Sequence, residues 1–121
     1  MEITVGFYGG AGTVTGANFL LSDGTTNILV DCGLTQGKDF CDKCNFDDFE
    51  YDPKDIHALI FTHAHLDHIG RAPKLIKDGF NGGVYCTPPT EDLLTVMLAD
   101  SEGILKREAE RKNIPPMYSK D

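Results

Sequence analysis

Long apolar runs, positive charge and histidine are all scarce in this sequence. No segment approaches the roughly 20 apolar residues that a membrane-spanning helix requires, and the first ten residues, MEITVGFYGG, contain no basic segment of a signal peptide. We therefore expect a cytoplasmic protein with no membrane association. Its four cysteines would then be mostly reduced thiols.

The shortage of positive charge bears on possible partners. Lysine and arginine total 11 against 19 acidic residues, so the formal net charge is -8. This balance argues against a general electrostatic attraction to nucleic acid. It does not exclude nucleic acid, because bound divalent metal ions would add local positive charge that the formal count omits.

Length and patterning predict one α/β domain. The 121 residues are 40% hydrophobic and include 13 glycines, enough for one core and many turns. Apolar and β-branched runs predict strands, and Asp23-Gly24 predicts a hairpin between two of them. The predicted strands cover 2–8, 17–23, 26–33, 56–62 and 84–86.

Helices are predicted in the second half of the chain. A short helix is expected over about 69–78, and a long one follows Thr87, which can cap it. Its apolar positions Leu93, Met97, Ile104 and Leu105 fall near one helical face. Residues 34–55 are polar and predict a long loop. Strands followed by strand–helix units favour an α/β layered sheet.

Three of the four histidines lie in one short stretch, THAHLDHIG (62–70). If the preceding strand continues, His63 and His65 point to the same side and could bind one metal ion. Asp67 and His68 follow and could face a second ion.

Two alternatives to this interpretation can be weighed. A continuous helix would instead pair His63 with Asp67 and His65 with His68, but ALIFT leads into the motif as a strand, and Gly70 and Pro73 follow it. The histidines could also be surface or capping residues. Three of them with an aspartate after a buried strand favour metal binding. Imidazole and carboxylate suit zinc, and a carboxylate also admits manganese or iron.

These residues carry a family resemblance. THAHLDH resembles the H-x-H-x-D-H motif of the metallo-β-lactamase fold. GFYGGAGTVTGANFLL followed by NILVDCG, and the continuation THAHLDHIGRAPKLIKDGFNGGVYCTPPT, resemble the β-CASP branch. That branch includes RNase J-type enzymes and the nuclease that cuts pre-mRNA 3′ ends. The resemblance implies that residues 1–121 form the N-terminal half of an αββα sandwich.

The resemblance also implies roles for individual residues. His63 and His65 match ligands of a first zinc ion, and Asp67 and His68 match ligands of a second. In the family a hydroxide bridging two zinc ions attacks phosphorus, and Asp67 would help orient it. Asp31, in VDCG, would accept a proton from a ligand histidine and fix its tautomer. An aspartate that only holds a turn is the alternative for Asp31.

The matching site is incomplete in this chain. The family takes a further histidine, a bridging aspartate and a general-acid histidine from later segments. Here only His57 remains, and it precedes the motif, where a structural role is expected. We therefore expect an N-terminal part of a longer enzyme. Alone, it would be inactive and bind zinc weakly. An exposed sheet edge and apolar face would make a homo-oligomer plausible.

The resulting hypothesis is a dinuclear zinc-dependent phosphodiesterase, a ribonuclease acting on RNA, with DNA left open. Two alternatives remain: a metallo-hydrolase of a small ester or thioester, and a non-catalytic metal-binding or scaffolding relative. Cys41-x-x-Cys44 could be half of a zinc site or a redox-sensitive loop. Arg71 and Lys74 could meet phosphate or be solvated helix charges.

Overall fold

A five-stranded mixed sheet forms the frame of the molecule. The computed structural model describes residues 2–37, 41–115 and 117–118, apart from the side chain of Asp42. The strands lie side by side in chain order. They are β1 (Thr4–Gly9), β2 (Asn18–Ser22), β3 (Asn27–Val30), β4 (Ala58–Ile60) and β5 (Gly83–Tyr85). The pairs β1/β2 and β2/β3 are antiparallel, whereas β3/β4 and β4/β5 are parallel. This mixed arrangement confirms the predicted α/β class.

The hairpin between β2 and β3 forms as predicted. The Asp23 carboxylate accepts the backbone N–H groups of Thr25 at 2.9 Å and Thr26 at 2.7 Å. Gly24 follows with φ of 92°, a conformation that glycine adopts without steric cost. The turn is therefore specified by the local sequence alone.

Strand β4 is shorter than predicted. It ends at Ile60, although the Phe61 N–H still donates to the Tyr85 carbonyl at 2.9 Å. The next amide, that of Thr62, donates to the Asp31 carboxylate instead of to a strand. A side chain has replaced the ladder partner at this point, so the strand stops before the histidines.

Within the residues that the structure describes, four α-helices accompany the sheet. They are α1 (Asp42–Phe46), α2 (Leu66–Ile69), α3 (Ala72–Lys77) and α4 (Pro88–Lys112). The predicted loop 34–55 was wrong in part, because it contains α1 and a 3-10 turn at Pro53–Asp55. The single helix predicted over 69–78 is two helices. The chain breaks at Gly70 and Arg71, and Pro73 then lies in the first turn of α3.

The long helix α4 forms where it was predicted, with two corrections. Thr87 occupies the N-cap position, but its hydroxyl donates to the Thr90 hydroxyl rather than capping a backbone N–H. Leu93 and Ile104 are exposed, whereas Leu105 is buried. The buried face passes through Leu94 and Leu98, so Leu93 and Ile104 each lie one residue, about 100°, away from it.

The two faces of the sheet have different surroundings. On one face, Leu29 and Leu59 are fully buried against α2, α3 and α4. The other face is apolar yet open. The strand register places its exposed large side chains on this common face, and they are Val5, Phe7, Leu21, Ile60 and Tyr85. The apolar face expected from the sequence is therefore present.

Candidate metal centre

The candidate centre lies where two neighbouring parallel strands end. Asp31 directly follows β3, and Thr62 lies two residues beyond β4. The Asp31 N–H donates to the Ile60 carbonyl at 2.9 Å, which ties the two strand ends together. Asp31 has a φ of 61°, a left-handed conformation that aspartate adopts more readily than most residues. This backbone turn directs the chain from the sheet towards the histidine segment.

The buried Asp31 carboxylate connects the residues of the centre through hydrogen bonds. It is 2% exposed and accepts three hydrogen bonds: from the Thr62 N–H at 2.8 Å, the Thr62 hydroxyl at 2.7 Å and Nδ1 of His68 at 2.7 Å. An ionised carboxylate only accepts, so Nδ1 of His68 carries the proton. The Nε2 atom of the neutral ring is then left with a free lone pair.

His63 is held in the same tautomer through Thr62. The Nδ1 atom of His63 lies 3.0 Å from the Thr62 hydroxyl oxygen. That hydroxyl has one hydrogen, which it donates to Asp31, so it can only accept from His63. The Nε2 atom of His63 therefore also has a free lone pair. Both histidines are prepared as ligands by the arrangement that commonly orients metal-binding imidazoles.

Three side chains with metal-ligand atoms converge beside Asp31 and Thr62. One ligand atom from each of His63, Asp67 and His68 lies within 4.8 Å of the others. The His63 and His68 ring centroids are 3.9 Å apart, and Nε2 of His68 is 3.4 Å from the Asp67 carboxylate. A lone pair and a carboxylate oxygen facing each other at this distance fit a cation. This donor set matches the nitrogen and oxygen ligands of zinc.

His65 takes a different position from the one predicted. Its ring lies edge-on to that of His63, with centroids 5.0 Å apart, but it is not part of the convergent group. His65 is exposed and occupies the N-cap position of α2. The strand has already ended at Ile60, so the alternation expected to align His63 with His65 does not apply. His63 instead groups with Asp67 and His68, which lie in α2.

Backbone contacts fix the helix that carries Asp67 and His68. The N–H groups of Cys32 and Leu34 donate to the carbonyls of His68 and Leu66, at 2.8 Å and 3.0 Å. Between them, Gly33 approaches so closely that a Cβ atom there would lie 1.7 Å from the Asp67 carbonyl oxygen. The chain after β3 therefore forms a continuous backbone support for α2, and this support requires glycine at 33.

Two further residues support Asp31, and sequence reasoning missed both. Asn18 donates its side-chain N–H to the Asp31 carbonyl at 3.0 Å, and the Tyr51 hydroxyl donates to the Asn18 amide oxygen at 2.9 Å. Burial raises the pKa of Tyr51, so its hydroxyl remains a donor. Thr62 was also missed, although its place directly before His63 was a signal. No short-range signal links Tyr51 to Asp31, because 20 positions, including helix α1, separate them.

The two cations near the motif are buried, so they are not solvated helix charges. The Arg71 guanidinium lies 4.3 Å from the Phe49 ring centroid and donates to the Asp47 carbonyl at 3.2 Å. Burial lowers the pKa of Arg71. Lys74 pairs with Asp78 at 2.5 Å. Both side chains hold the 47–49 segment on α3 rather than reaching the donor cluster.

The cysteines differ from the expectation of reduced thiols. Cys41 and Cys44 form a disulfide, whereas Cys32 and Cys86 are free. Cys32 is a buried small residue as predicted, and burial raises the pKa of its thiol to about 12. In this structure Cys41 and Cys44 therefore do not offer the thiolates that a zinc half-site would need.

Comparison with known sequences identifies the family and relatives of the chain. A profile of the Metallo-beta-lactamase superfamily matches residues 11–118. A ribonuclease of Thermus thermophilus is 45% identical over 94 residues, which is 78% of this chain and 21% of that protein. A transcription termination factor of Methanocaldococcus jannaschii is 40% identical over 119 residues, 98% of this chain and 18% of that protein. Subunit 11 of the Integrator complex of Danio rerio is 35% identical over 99 residues, 75% of this chain and 16% of that protein.

Solved structures agree at the level of the fold. A metallo-β-lactamase of Cronobacter sakazakii superposes with a TM-score of 0.53 at 20% identity, covering 76% of this chain and 34% of that one. The chain spans about a fifth of the length of the Thermus thermophilus and Methanocaldococcus jannaschii proteins.

Proposed function

Because this chain belongs to the metallo-β-lactamase superfamily, we propose that it provides the first metal ligands of a dinuclear zinc-dependent phosphodiesterase, a ribonuclease of the β-CASP branch. The observation that carries the proposal is the convergence of His63, Asp67 and His68 above the buried carboxylate of Asp31. The remaining ligands and the general acid would come from other parts of a longer protein. The 121-residue chain alone would then be inactive.

The ligand assignment follows from the donor atoms. His63, Asp67 and His68 would hold metal directly, and His65, whose ring lies beside that of His63, would complete the set of four. Bound zinc would lower the pKa of a water molecule to near neutrality and neutralise charge on the phosphate. Zinc fits two neutral imidazoles and a carboxylate better than magnesium or calcium, which favour oxygen ligands.

The protein's own groups have separate tasks in this proposal. Asp31 keeps the proton of His68 on Nδ1, and Thr62 does the same for His63, so that the Nε2 atom of each ring is free to bind a metal ion. Asp67 is a metal ligand that would also orient the attacking water. Asp31 is a positioning residue, because His68 and Thr62 lie between it and the reacting atoms.

RNA is the proposed substrate. The names of two relatives, a ribonuclease and a transcription termination factor, concern RNA or its synthesis. The net charge of -8 argues that bound metal ions, rather than a basic surface of this segment, attract the phosphates. DNA cleavage is the alternative that a direct assay separates.

Location and assembly are further proposals. Among the residues that the structure describes, no helix is long and apolar enough to cross a membrane. The proposed location is the cytoplasm, with which a relative named as a transcription termination factor is compatible. The open apolar face around Phe7 and Tyr85 would favour self-association of the isolated chain.

The decisive experiment uses the full-length protein and a labelled RNA. Purified wild-type protein with zinc is expected to hydrolyse phosphodiester bonds, and Asp67→Ala should lose this activity by more than the 10–100-fold typical of residues behind the ligands. His57→Gln, at the other end of β4, is the matched control and should retain activity. RNA cleavage equal in the wild type and in Asp67→Ala would contradict the assignment. Hydrolysis of a thioester but not of RNA or DNA would favour the small-substrate alternative.

A further inference from the structure

The Cys41–Cys44 disulfide is chemically separate from the metal centre. Cys44 is exposed and Cys41 half-buried, so a solution reagent can reach the bond. The two other cysteines in the chain are a fully buried thiol at Cys32 and a half-buried one at Cys86. A bridge that closes only a four-residue loop gains little from loop entropy, because that stabilisation grows with loop length. The Cys-x-x-Cys spacing is also that of dithiol redox motifs.

We propose that Cys41 and Cys44 form a reversible thiol–disulfide exchange site, and that its oxidised state holds α1 against the segment supporting the metal centre. The co-reactant is a low-molecular-weight thiol of the glutathione class. This proposal is independent of the phosphodiesterase assignment, because it concerns residues outside the donor cluster.

The geometry assigns an order to the exchange. The Cys44 N–H donates to the Cys41 sulfur at 3.1 Å. This hydrogen bond would stabilise negative charge on Cys41, which makes Cys41 the better leaving group. An external thiolate therefore attacks the Cys44 sulfur, the S–S bond breaks, and Cys41 leaves as a thiolate. A second external thiolate then attacks the mixed disulfide at the sulfur of the first external thiol and releases Cys44 as a thiolate. Two electrons have then passed to the protein, and the external thiols have become a disulfide.

A hydrogen-bonded path connects the bridge with the metal centre. The Thr35 hydroxyl accepts the Cys41 N–H at 2.8 Å, and the Thr35 N–H donates to the side-chain oxygen of Asn45 at 2.8 Å. Asn45 lies in α1, is 1% exposed and also donates to the Thr35 carbonyl at 3.2 Å. The adjacent residue, Leu34, donates its N–H to the Leu66 carbonyl at the start of α2. The bridge thus fixes α1 on Thr35, one residue from the backbone support of α2.

Thiol alkylation of the full-length protein tests the exchange. The native protein is equilibrated in glutathione buffers from fully oxidised to fully reduced, quenched with an alkylating reagent and weighed by mass spectrometry. We expect two alkylation sites to appear reversibly as the buffer becomes reducing, assigned by peptide mapping to Cys41 and Cys44. Cys86→Ser should behave like the wild type. Thiols that stay free in oxidised buffer, or a disulfide that persists in reduced buffer, would overturn the proposal.

Trapping of the mixed disulfide tests the order of attack. Wild-type protein exposed briefly to reduced glutathione and quenched with acid should carry the glutathionyl group on Cys44, as assigned by peptide mapping. A glutathionyl group on Cys41, or on both cysteines equally, would refute the assigned order. Zinc that is retained by the reduced wild type, lost in Cys41→Ser and Cys44→Ser, and protects the two cysteines from alkylation would show a metal site in place of an exchange site.

Hydrogen exchange tests the structural half of the proposal. On reduction, the Thr35 amide should exchange about fivefold faster, the factor expected from weakening by about one hydrogen bond. The amide of Leu29, in the core of β3, serves as the internal reference. An unchanged rate at Thr35 in fully reduced protein would show that the bridge does not hold α1.

Discussion

The two ends of strand β4 carry the same residue type in opposite roles. Before the strand, exposed His57 accepts the Asn27 N–H on its Nδ1 atom at 3.0 Å. A backbone N–H only donates, so the neutral His57 ring carries its proton on Nε2. Beyond the strand, the Nδ1 atoms of His63 and His68 donate to Thr62 and Asp31. The proton lies on the opposite nitrogen.

Neighbouring groups, and not histidine itself, therefore decide which ring nitrogen keeps a lone pair free for a metal ion. At the His57 end, the ring replaces a missing strand partner. At the other end, a buried carboxylate leaves Nε2 lone pairs free on two rings, each with a ligand atom within 4.8 Å of a ligand atom of Asp67. Four substitutions test this contrast, starting with the largest expected effect.

Gly33→Ala disrupts the backbone support of α2 at the end of β4 that carries the donor cluster. The added methyl group would lie 1.7 Å from the Asp67 carbonyl oxygen, and this backbone contact cannot relax by a rotamer change. We expect a loss of at least about 3 kcal/mol in the free energy of unfolding, measured by urea denaturation. Gly103→Ala in α4 is the matched control, since its nearest neighbour would lie at 3.8 Å. It should stabilise the protein by about 0.5–1 kcal/mol. Equal urea midpoints for the two variants would refute the close approach at residue 33.

Asp31→Asn removes the carboxylate that keeps the proton of His68 on Nδ1, so the donor-cluster end of β4 loses what distinguishes it from the His57 end. Asparagine tolerates the left-handed backbone at this position, but its amide has one acceptor oxygen for three donors. Its NH₂ group would face a donor, and His68 would lose its fixed tautomer. Zinc affinity of the full-length protein should fall roughly 10–100-fold, measured by calorimetric titration. Unchanged affinity in a variant with a native circular dichroism spectrum would argue that Asp31 only holds a turn.

Tyr51→Phe tests the support of Asp31 indirectly, through Asn18. Asn18 is 2% exposed, and its amide oxygen would lose the hydrogen bond from Tyr51. This loss should lower the free energy of unfolding by about 1–3 kcal/mol. Zinc affinity should fall less than in Asp31→Asn, because Asn18 still reaches the Asp31 carbonyl. Tyr8→Phe, on the ring that packs edge-on against Tyr51, is the control and should change stability by less than about 0.5 kcal/mol. Identical unfolding curves for Tyr51→Phe and Tyr8→Phe would remove Tyr51 from the network.

His57→Gln should have the smallest effect. One exposed hydrogen bond to Asn27 is lost, which costs about 0.5–1.5 kcal/mol. Zinc affinity should be unchanged, since the ring lies at the far end of β4. A loss of zinc affinity comparable to that of Asp31→Asn would mean that the two ends are not independent.

Much of the architecture was predictable from local patterns. The Asp23-Gly24 hairpin and the long helix that follows Thr87 were confirmed. The resemblance read from THAHLDH and the flanking motifs was also confirmed by the superfamily match and the relatives. These features depend on residues close together in the chain, or on an ordered set of motifs.

What could not be predicted depends on contacts between distant segments. The strand containing Ala58 ends early because Asp31 captures the Thr62 amide, and no pattern within 56–62 contains that information. His65 was grouped with His63 on the assumption of a continuing strand, and its role as a metal ligand stays a prediction. The Cys41–Cys44 bond and the burial of Arg71 against Phe49 likewise depend on how the 41–49 segment folds back.

The parallel pairing of β3 with β4 has a consequence for the order of folding. Strands β1, β2 and β3 follow one another through short connections, so their pairing closes small loops. The β3/β4 pair, by contrast, is joined by residues 31–57, and closing that long crossover costs more chain entropy. Asp31 and His68 lie on opposite sides of this closure. Zinc binding at the centre should therefore develop only after β3 and β4 have paired, so stopped-flow metal uptake would report when this crossover closes.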